Sequence, residues 1–315
     1  MCMSTEHPLV VVCGPTGAGK SALSLAIAER FAGEVVNCDS VQVFRGFDLG
    51  SAKLTAAEQR GIAHHLLDAA APAALFTAGD YARLGRATLA DITARAQLPV
   101  VAGGTGFYLR ALLEGLFEGP PRDEAIRARL QAREARRPGS LHRLLARWDA
   151  EAARRIHRHD INKLTRALEV ILTARQPLTS LFAQGRDPLT GYRTLSLGLN
   201  PVRAELYARL DARSRQMFAS PGILEEVRAL LEAGVPHDAK PFASLGYAQA
   251  LAHLEGRLPL QEAIAETQMH TRRYAKRQWT WFRRNASTIW LPGFGSEPGV
   301  QHAAFEHVAD FLGSA

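Results

Sequence analysis

Gly14-Pro15-Thr16-Gly17-Ala18-Gly19-Lys20-Ser21 fills every fixed position of a G-x-x-x-x-G-K-S phosphate loop. Its chemistry is anion binding. The glycines let the backbone curl until successive N–H groups face one anion. Lys20 adds a full positive charge, and the Ser21 hydroxyl can hold a Mg²⁺ that bridges phosphate oxygens. A nucleoside triphosphate and a pyrophosphate ester fit such a cradle equally well. Two further groups belong beside it. Asp39 follows an apolar run, Glu34 to Cys38, and offers a carboxylate as general base or as a water-mediated Mg²⁺ ligand. The plainer reading of Asp39 is a helix or loop cap. Gly103-Gly104-Thr105-Gly106 follows a second apolar run, Leu98 to Ala102. It would bring backbone and the Thr105 hydroxyl close to a ligand, or simply turn the chain from strand to helix.

The elements that position these residues can be read around them. Leu9 to Val12 reads as a buried strand, and Ser21 to Phe31 as a helix with Leu23, Ile27 and Phe31 four residues apart. Parallel strands deliver their C-terminal residues to the ligand edge, which puts Lys20, Asp39 and Thr105 in one crevice. His64-His65 are adjacent, so as strand residues they point to opposite faces and make a poor metal pair; Asp68 is a weaker second carboxylate for the crevice. Ala78 to Ala96 and Phe107 to Leu113 read as helices. Gly119-Pro120-Pro121 then breaks the pattern, and Arg122 to Gln184 is Arg/Ala-rich and helix-forming with little strand signal. Strand character returns at Thr194 to Leu199 and Thr288 to Leu291, among helices at Arg203 to Phe218, Ile223 to Ala233 and His302 to Phe311. The division expected is a core in two parts, 1–121 and 194–315, with a helical insertion at 122–193. The fold class is α/β, a parallel sheet flanked by helices with an inserted all-helical domain.

Composition narrows the partner. The 315 residues carry a formal charge of +7. From Arg122 to Arg166 there are 13 Lys+Arg against 6 Asp+Glu, and Arg272 to Arg284 holds six basic residues and no acid. Charge needed only for solubility would be spread more evenly, so a polyanionic partner is expected. In the second stretch Arg273, Lys276, Arg277 and Arg284 can share a broad helical face interleaved with aromatics, suited to phosphate contact and base stacking, or Trp281 and Phe282 are core and only the arginines are exposed. There is no apolar run of membrane-spanning length and no basic leader ahead of the first strand. Three cysteines without a C-x-x-C pair give neither a disulfide framework nor a zinc site. A cytoplasmic monomer that meets no membrane is expected.

Four ordered blocks carry a resemblance: Gly14 to Ser21, Asp39-Ser40-Val41-Gln42-Val43-Phe44, Gly103 to Tyr108, and Tyr274-Ala275-Lys276-Arg277-Gln278-x-Thr280-Trp281-Phe282-Arg283. Supporting matches are His64-His65-Leu66-x-Asp68, Arg166 to Val170 and Gly246-Tyr247-x-Gln249. Together they span about residues 9 to 291 and resemble bacterial tRNA dimethylallyltransferases, the isopentenyltransferase group. The resemblance implies a P-loop NTPase-like core. It also implies transfer of a dimethylallyl group from dimethylallyl diphosphate to N6 of the adenosine on the 3′ side of the tRNA anticodon. Gly14, Pro15, Thr16, Gly17, Ala18, Gly19, Lys20 and Ser21 would hold the diphosphate, with Mg²⁺ on Ser21 and Lys20 stabilising the leaving group. Asp39 would take the N6 proton, and Thr105 would act at the reacting centre. Contacts to tRNA are implied for Asp39, Ser40, Val41, Gln42, Thr105, Arg127, Asn162, Lys163, Leu164, Thr165 and Arg166, beside the basic face of Arg273, Lys276 and Arg277. The target adenine must leave its stack to reach Asp39. Phe44 and Phe107 stand where the family often has Tyr and Leu. The chain is one residue longer near Ser220-Pro221, which leaves open whether Arg213 meets the diphosphate.

Three other readings compete. A phosphate-loop kinase for a small metabolite accounts for Lys20, Ser21 and Asp39 but not for the two basic stretches. Prenyl transfer to free AMP or ADP leaves the insertion without a purpose. An RNA-binding module with a vestigial loop leaves the complete loop unexplained.

Overall fold

The computed structural model describes residues 6–117, 119–183 and 185–314. The chain forms two compact units, one of Met1–Leu113 with Leu189–Ala315 and one of Glu114–Pro188. The first unit opens with β1 (His7–Cys13), α1 (Lys20–Arg30), β2 (Gly33–Asn37), β3 (His64–His65), α2 (Ala78–Ala94), β4 (Leu98–Ala102) and α3 (Gly106–Leu113). The second consists of α4 (Glu124–Arg136), α5 (Ser140–Trp148), α6 (Ala150–Arg155), α7 (Ile161–Ala174) and α8 (Leu178–Ala183). The first then resumes with β5 (Tyr192–Leu199), α9 (Arg203–Met217), α10 (Ile223–Glu232), α11 (Tyr247–Leu254), α12 (Leu260–Phe282), β6 (Ile289–Leu291) and α13 (Pro298–Gly313).

Six strands lie in the order β3-β2-β4-β1-β5-β6, and every pairing is parallel. Strands covered on both faces are apolar throughout, and Val10, Val12, Val35, Val100 and Leu197 are buried as such strands require. One face packs against Leu23 and Ile27 of α1 and Val300, Ala304 and Val308 of α13. Val10 to Val12 sit in register with Val100 to Ala102, so the chain after each strand emerges at the same edge of the sheet. The chain leaving β1, β2 and β4 at this edge brings Lys20, at the start of α1, and Asp39 and Thr105, in loops. The parallel sheet with flanking helices and a helical insertion agrees with the architecture read from the sequence.

The second unit has its own core, with Leu130, Leu141, Leu145, Leu164, Leu168 and Leu178 buried together. It begins and ends earlier than the 122–193 span expected. The non-helical neck folds with it: Arg166 donates to the Pro120 carbonyl at 2.9 Å, and the Gly115 backbone lies against that of Asp187. Pairing of His7 with Tyr192 draws the next residues into β5, two positions before the strand character of the sequence begins. Within the unit Glu169 is fully buried. It accepts from the Asp123 amide at 2.7 Å, from Arg166 at 2.9 Å and from Arg127 at 3.2 Å.

Candidate active site

The phosphate loop spans the end of β1 and the start of α1. Gly19 caps α1 at φ +89°, a conformation that a side chain would strain, and the helix begins at Lys20. The first-turn amides of α1 have no partner within the helix, and their dipoles make the opening of the helix attractive to an anion. Thr16, Gly17, Gly19, Lys20 and Ser21 line a cavity of about 310 Å³. Its opposite wall brings Asp39, Gln42, Gly103 and Gly104, with Arg209 and Arg213 from α9. A neighbouring cavity of about 330 Å³ is lined by Thr16, Asp39, Ser40, Val41, Arg213, Tyr274 and Arg277. Both are bounded by Thr16, Asp39, Ser51 and Arg213.

The electrostatics are those of an anion site. Desolvation in the cleft pulls the Lys20 ammonium down to about 8, against the opposing charge of Asp39. Its Nζ donates to the Pro15 carbonyl at 2.9 Å. Burial likewise lowers the pKa of Arg213, with Asp39 again opposing. A phosphate repays both costs, because it supplies the countercharge that burial took away.

Asp39 lines both cavities and caps its own turn. Its Oδ1 accepts from the amides of Val41 at 2.8 Å and Gln42 at 3.3 Å, which is the capping role the sequence offered as its plainer reading. These bonds fix the carboxyl plane, and Oδ2 is the oxygen left to face a substrate. Thr105 braces the same turn, its Oγ1 accepting from the Ser40 amide at 3.0 Å. The Gln42 side chain is spent on its own loop, donating to the carbonyls of Ser51 and Ala52. That loop is held in turn by Tyr247, whose hydroxyl accepts from the Gly50 amide, and by Glu226, which accepts from the Leu49 amide. The Tyr274 hydroxyl is pushed up to about 12 by burial and the nearby Asp39 charge, opposed by a hydrogen bond with Thr105. It is a neutral donor at physiological pH.

For a metal the structure offers the Ser21 hydroxyl and, across the cavity, the Asp39 carboxylate. Among the described residues no group of three His, Cys, Asp or Glu could hold an ion. These residues fit a Mg²⁺ carried mainly by phosphate oxygens and water.

Other expectations fall differently. Asp68 lines neither cavity; it pairs with Lys53 at 2.6 Å, so it is not a second carboxylate of the crevice. His65 bonds Glu34 and His64 bonds the Ile62 carbonyl, in separate directions. On α12, Arg273, Lys276 and Arg277 are exposed as expected. Trp279 and Phe282 are core, and Trp281 is half-buried beneath the guanidinium groups of Arg110 and Arg284. In the helical unit Asn162 and Lys163 are exposed, whereas Leu164 and Thr165 are fully buried. Leu164 and Thr165 pack the core that presents their neighbours. Arg127 and Arg166 are committed to Glu169.

Two site residues escaped the sequence reading. Arg209 stands one helical turn before Arg213, a spacing that puts both on one face of α9 and was available as a signal. Gln278 lies 262 residues from Thr16, whose amide it accepts at 2.7 Å, and no local pattern reveals that contact.

The IPP transferase family model matches residues 42–285. The tRNA dimethylallyltransferase of Solibacter usitatus (strain Ellin6076) is 60% identical over 306 residues, covering 97% of this chain and 99% of the relative. That of Koribacter versatilis (strain Ellin345) is 51% identical over 299 residues, covering 95% and 97%. The full-length tRNA isopentenylpyrophosphate transferase from Bacillus halodurans superimposes with a TM-score of 0.71 at 33% identity, covering 98% of this chain and 96% of that one. With a phosphate-loop site on a parallel sheet and this degree of likeness along nearly its whole length, the chain belongs to the IPP transferase family.

Proposed function

We propose that this chain transfers a dimethylallyl group from dimethylallyl diphosphate to N6 of the adenosine on the 3′ side of the anticodon in tRNA, releasing diphosphate. The observation that carries the reading is the pair of cavities bounded by Asp39, Thr16 and Arg213, one walled by the phosphate loop and the other by α12. A donor diphosphate and an acceptor base can approach the same carboxylate from different sides.

The diphosphate lies against the loop amides, the start of α1, Lys20 and Arg213. A bond forms from adenine N6 to C1 of the dimethylallyl group as the C1–O bond breaks. The electron pair of that bond goes to the diphosphate, and the N6 proton goes to Asp39 Oδ2. Negative charge grows on the leaving oxygen, where preorganised donors contribute most. The Ser21 hydroxyl would hold a Mg²⁺, which would supply charge neutralisation at the leaving group. Thr105 keeps the Ser40 amide, and with it the Asp39 turn, from shifting. Arg273, Lys276 and Arg277 of α12, with Asn162 and Lys163 of the helical unit, contact the RNA, while Glu169 holds Arg127 and Arg166 in place.

One incubation tests this. The protein, Mg²⁺ and labelled dimethylallyl diphosphate are combined with unmodified tRNA carrying an adenosine run beside its anticodon, and with AMP in a parallel tube. Label is expected in the tRNA alone. Label in AMP alone overturns the acceptor, and label in neither overturns the reaction.

A further inference from the structure

We infer that Gln278 is a positioning residue that sets the register between the phosphate loop and the turn bearing Thr105. The inference rests on the reading of the site as a diphosphate cradle facing Asp39. Both ends of the Gln278 amide are used. Its Oε1 accepts from the Thr16 amide at 2.7 Å, and its Nε2 donates to the Gly104 carbonyl at 2.9 Å. The side chain is 4% exposed, so each bond lies out of competition with water. The fit is close. A Cβ built on Gly104 would stand 2.2 Å from Nε2 of Gln278 and 3.5 Å from Nζ of Lys20. Gly104 is therefore the position at which the backbone comes near enough to meet both groups.

The consequence is geometric. The loops after β1 and β4 leave neighbouring strands, and the sheet fixes the strands but not the loops beyond them. Gln278 links the two loops from a third element. The link holds Lys20 at a set distance from the turn that, through Thr105 and the Ser40 amide, carries Asp39. Misplacement of reacting groups by about 1 Å can cost about 100-fold in rate. The same helix presents Arg273, Lys276 and Arg277 to solvent within five residues.

The test uses Q278M, of similar length but without either hydrogen bond, and Q278E. The glutamate still accepts from Thr16 but sets a carboxylate oxygen against the Gly104 carbonyl; once protonated it donates there again. Three quantities are measured on the full chain: donor kcat/KM, Kd for tRNA, and Kd for inorganic pyrophosphate with Mg²⁺. For Q278M the expected result is a loss of about 10–100-fold in donor kcat/KM, weaker pyrophosphate binding and a tRNA Kd within about twofold of wild type. The ratio of Q278E to wild-type turnover is expected to rise as pH is lowered from 8 to 6, a rescue that lost packing would not produce. Donor kinetics and pyrophosphate binding unchanged in Q278M overturn the inference. A flat Q278E ratio with tRNA affinity lost in step also overturns it, because Gln278 then only packs. A wild type that binds no pyrophosphate sinks the cradle reading and this inference with it. Wild-type binding matched by Q278M sinks this inference alone.

Discussion

Lys20 and Asp39 line one cavity, and the burial of the Lys20 ammonium carries a cost that a bound anion relieves. Lys20 titrates at about 8 in the fold, against an ordinary value of 10.5. Its folded pKa lies below the unfolded one, so the charged form is disfavoured by folding. The penalty is fully present below about pH 8 and lifts as pH rises from 8 toward 10.5. Lys20→Met is therefore expected to raise the melting temperature at pH 7 by a few degrees. The same change is expected to cut transfer by about 10²–10³-fold. Its tRNA Kd should stay near wild type; a large loss there would remove Lys20 from the donor side. In the wild type, donor kcat/KM should fall as pH rises past about 8, where the free enzyme loses the Lys20 charge. Asp39→Asn separates the two capacities of that residue. An amide oxygen still accepts from Val41 and Gln42, but the base is gone. Turnover is expected to drop by about 10²–10⁴-fold with donor binding retained, and near-normal turnover would leave Asp39 only its capping role.

At the level of elements, strand and loop placement was legible because apolar runs, glycines and a complete phosphate motif are local signals. Leu98–Ala102 stands where the sequence put it, and Lys20, Asp39 and Thr105 do follow neighbouring strands. Contacts between distant residues were not legible. Lys163 and Arg166 looked alike, two cations three residues apart on one helix. In the structure Lys163 is exposed, pairing with Asp160 at 2.6 Å, whereas Arg166 is drawn onto Glu169 from the same helix and Arg127 joins it from α4. Burial raises the pKa of Glu169, but hydrogen bonds from Arg166 and the Asp123 amide, with the charges of Arg166 and Arg127, bring it below its ordinary value. The stability it contributes is present at neutral pH and is lost as pH falls through that lowered value. Glu169→Ala leaves the Arg127 guanidinium and the Asp123 amide without their acceptor, while Arg166 keeps the Pro120 carbonyl, and is expected to cost about 1–3 kcal/mol, read by denaturant unfolding of the helical unit. Lys163→Glu should leave unfolding unchanged and weaken only RNA binding. Equal unfolding of the two variants would refute the division of roles between these cations.

For the molecule as a whole, the basic excess is concentrated in two stretches that fold into different units, Arg122 to Arg166 at +7 in the helical unit and Arg272 to Arg284 at +6 mostly on α12, while the rest of the chain is net acidic. Several of these residues have internal work: Arg127 and Arg166 with Glu169, Arg155 with Glu151, Arg272 with Asp211. The exposed remainder includes Arg129, Arg133, Arg136 and Arg137 of the helical unit and Arg273 and Lys276 of α12. If one RNA spans both units, each set releases counterions on binding, and the two contributions add in the slope of log Kd against log salt. Replacing Arg273 and Lys276 with Gln should lower that slope by roughly 1.4–1.8, from roughly 0.7–0.9 per phosphate contact. Replacing Arg129 and Arg133 should lower it by a similar amount, and the fourfold variant by the sum. An unchanged slope for one pair would make that pair a solvated face and place the RNA on the other unit alone. A fourfold variant no flatter than either pair would mean that the two sets never engage the same molecule at once, and the account of one tRNA held by both units would fall.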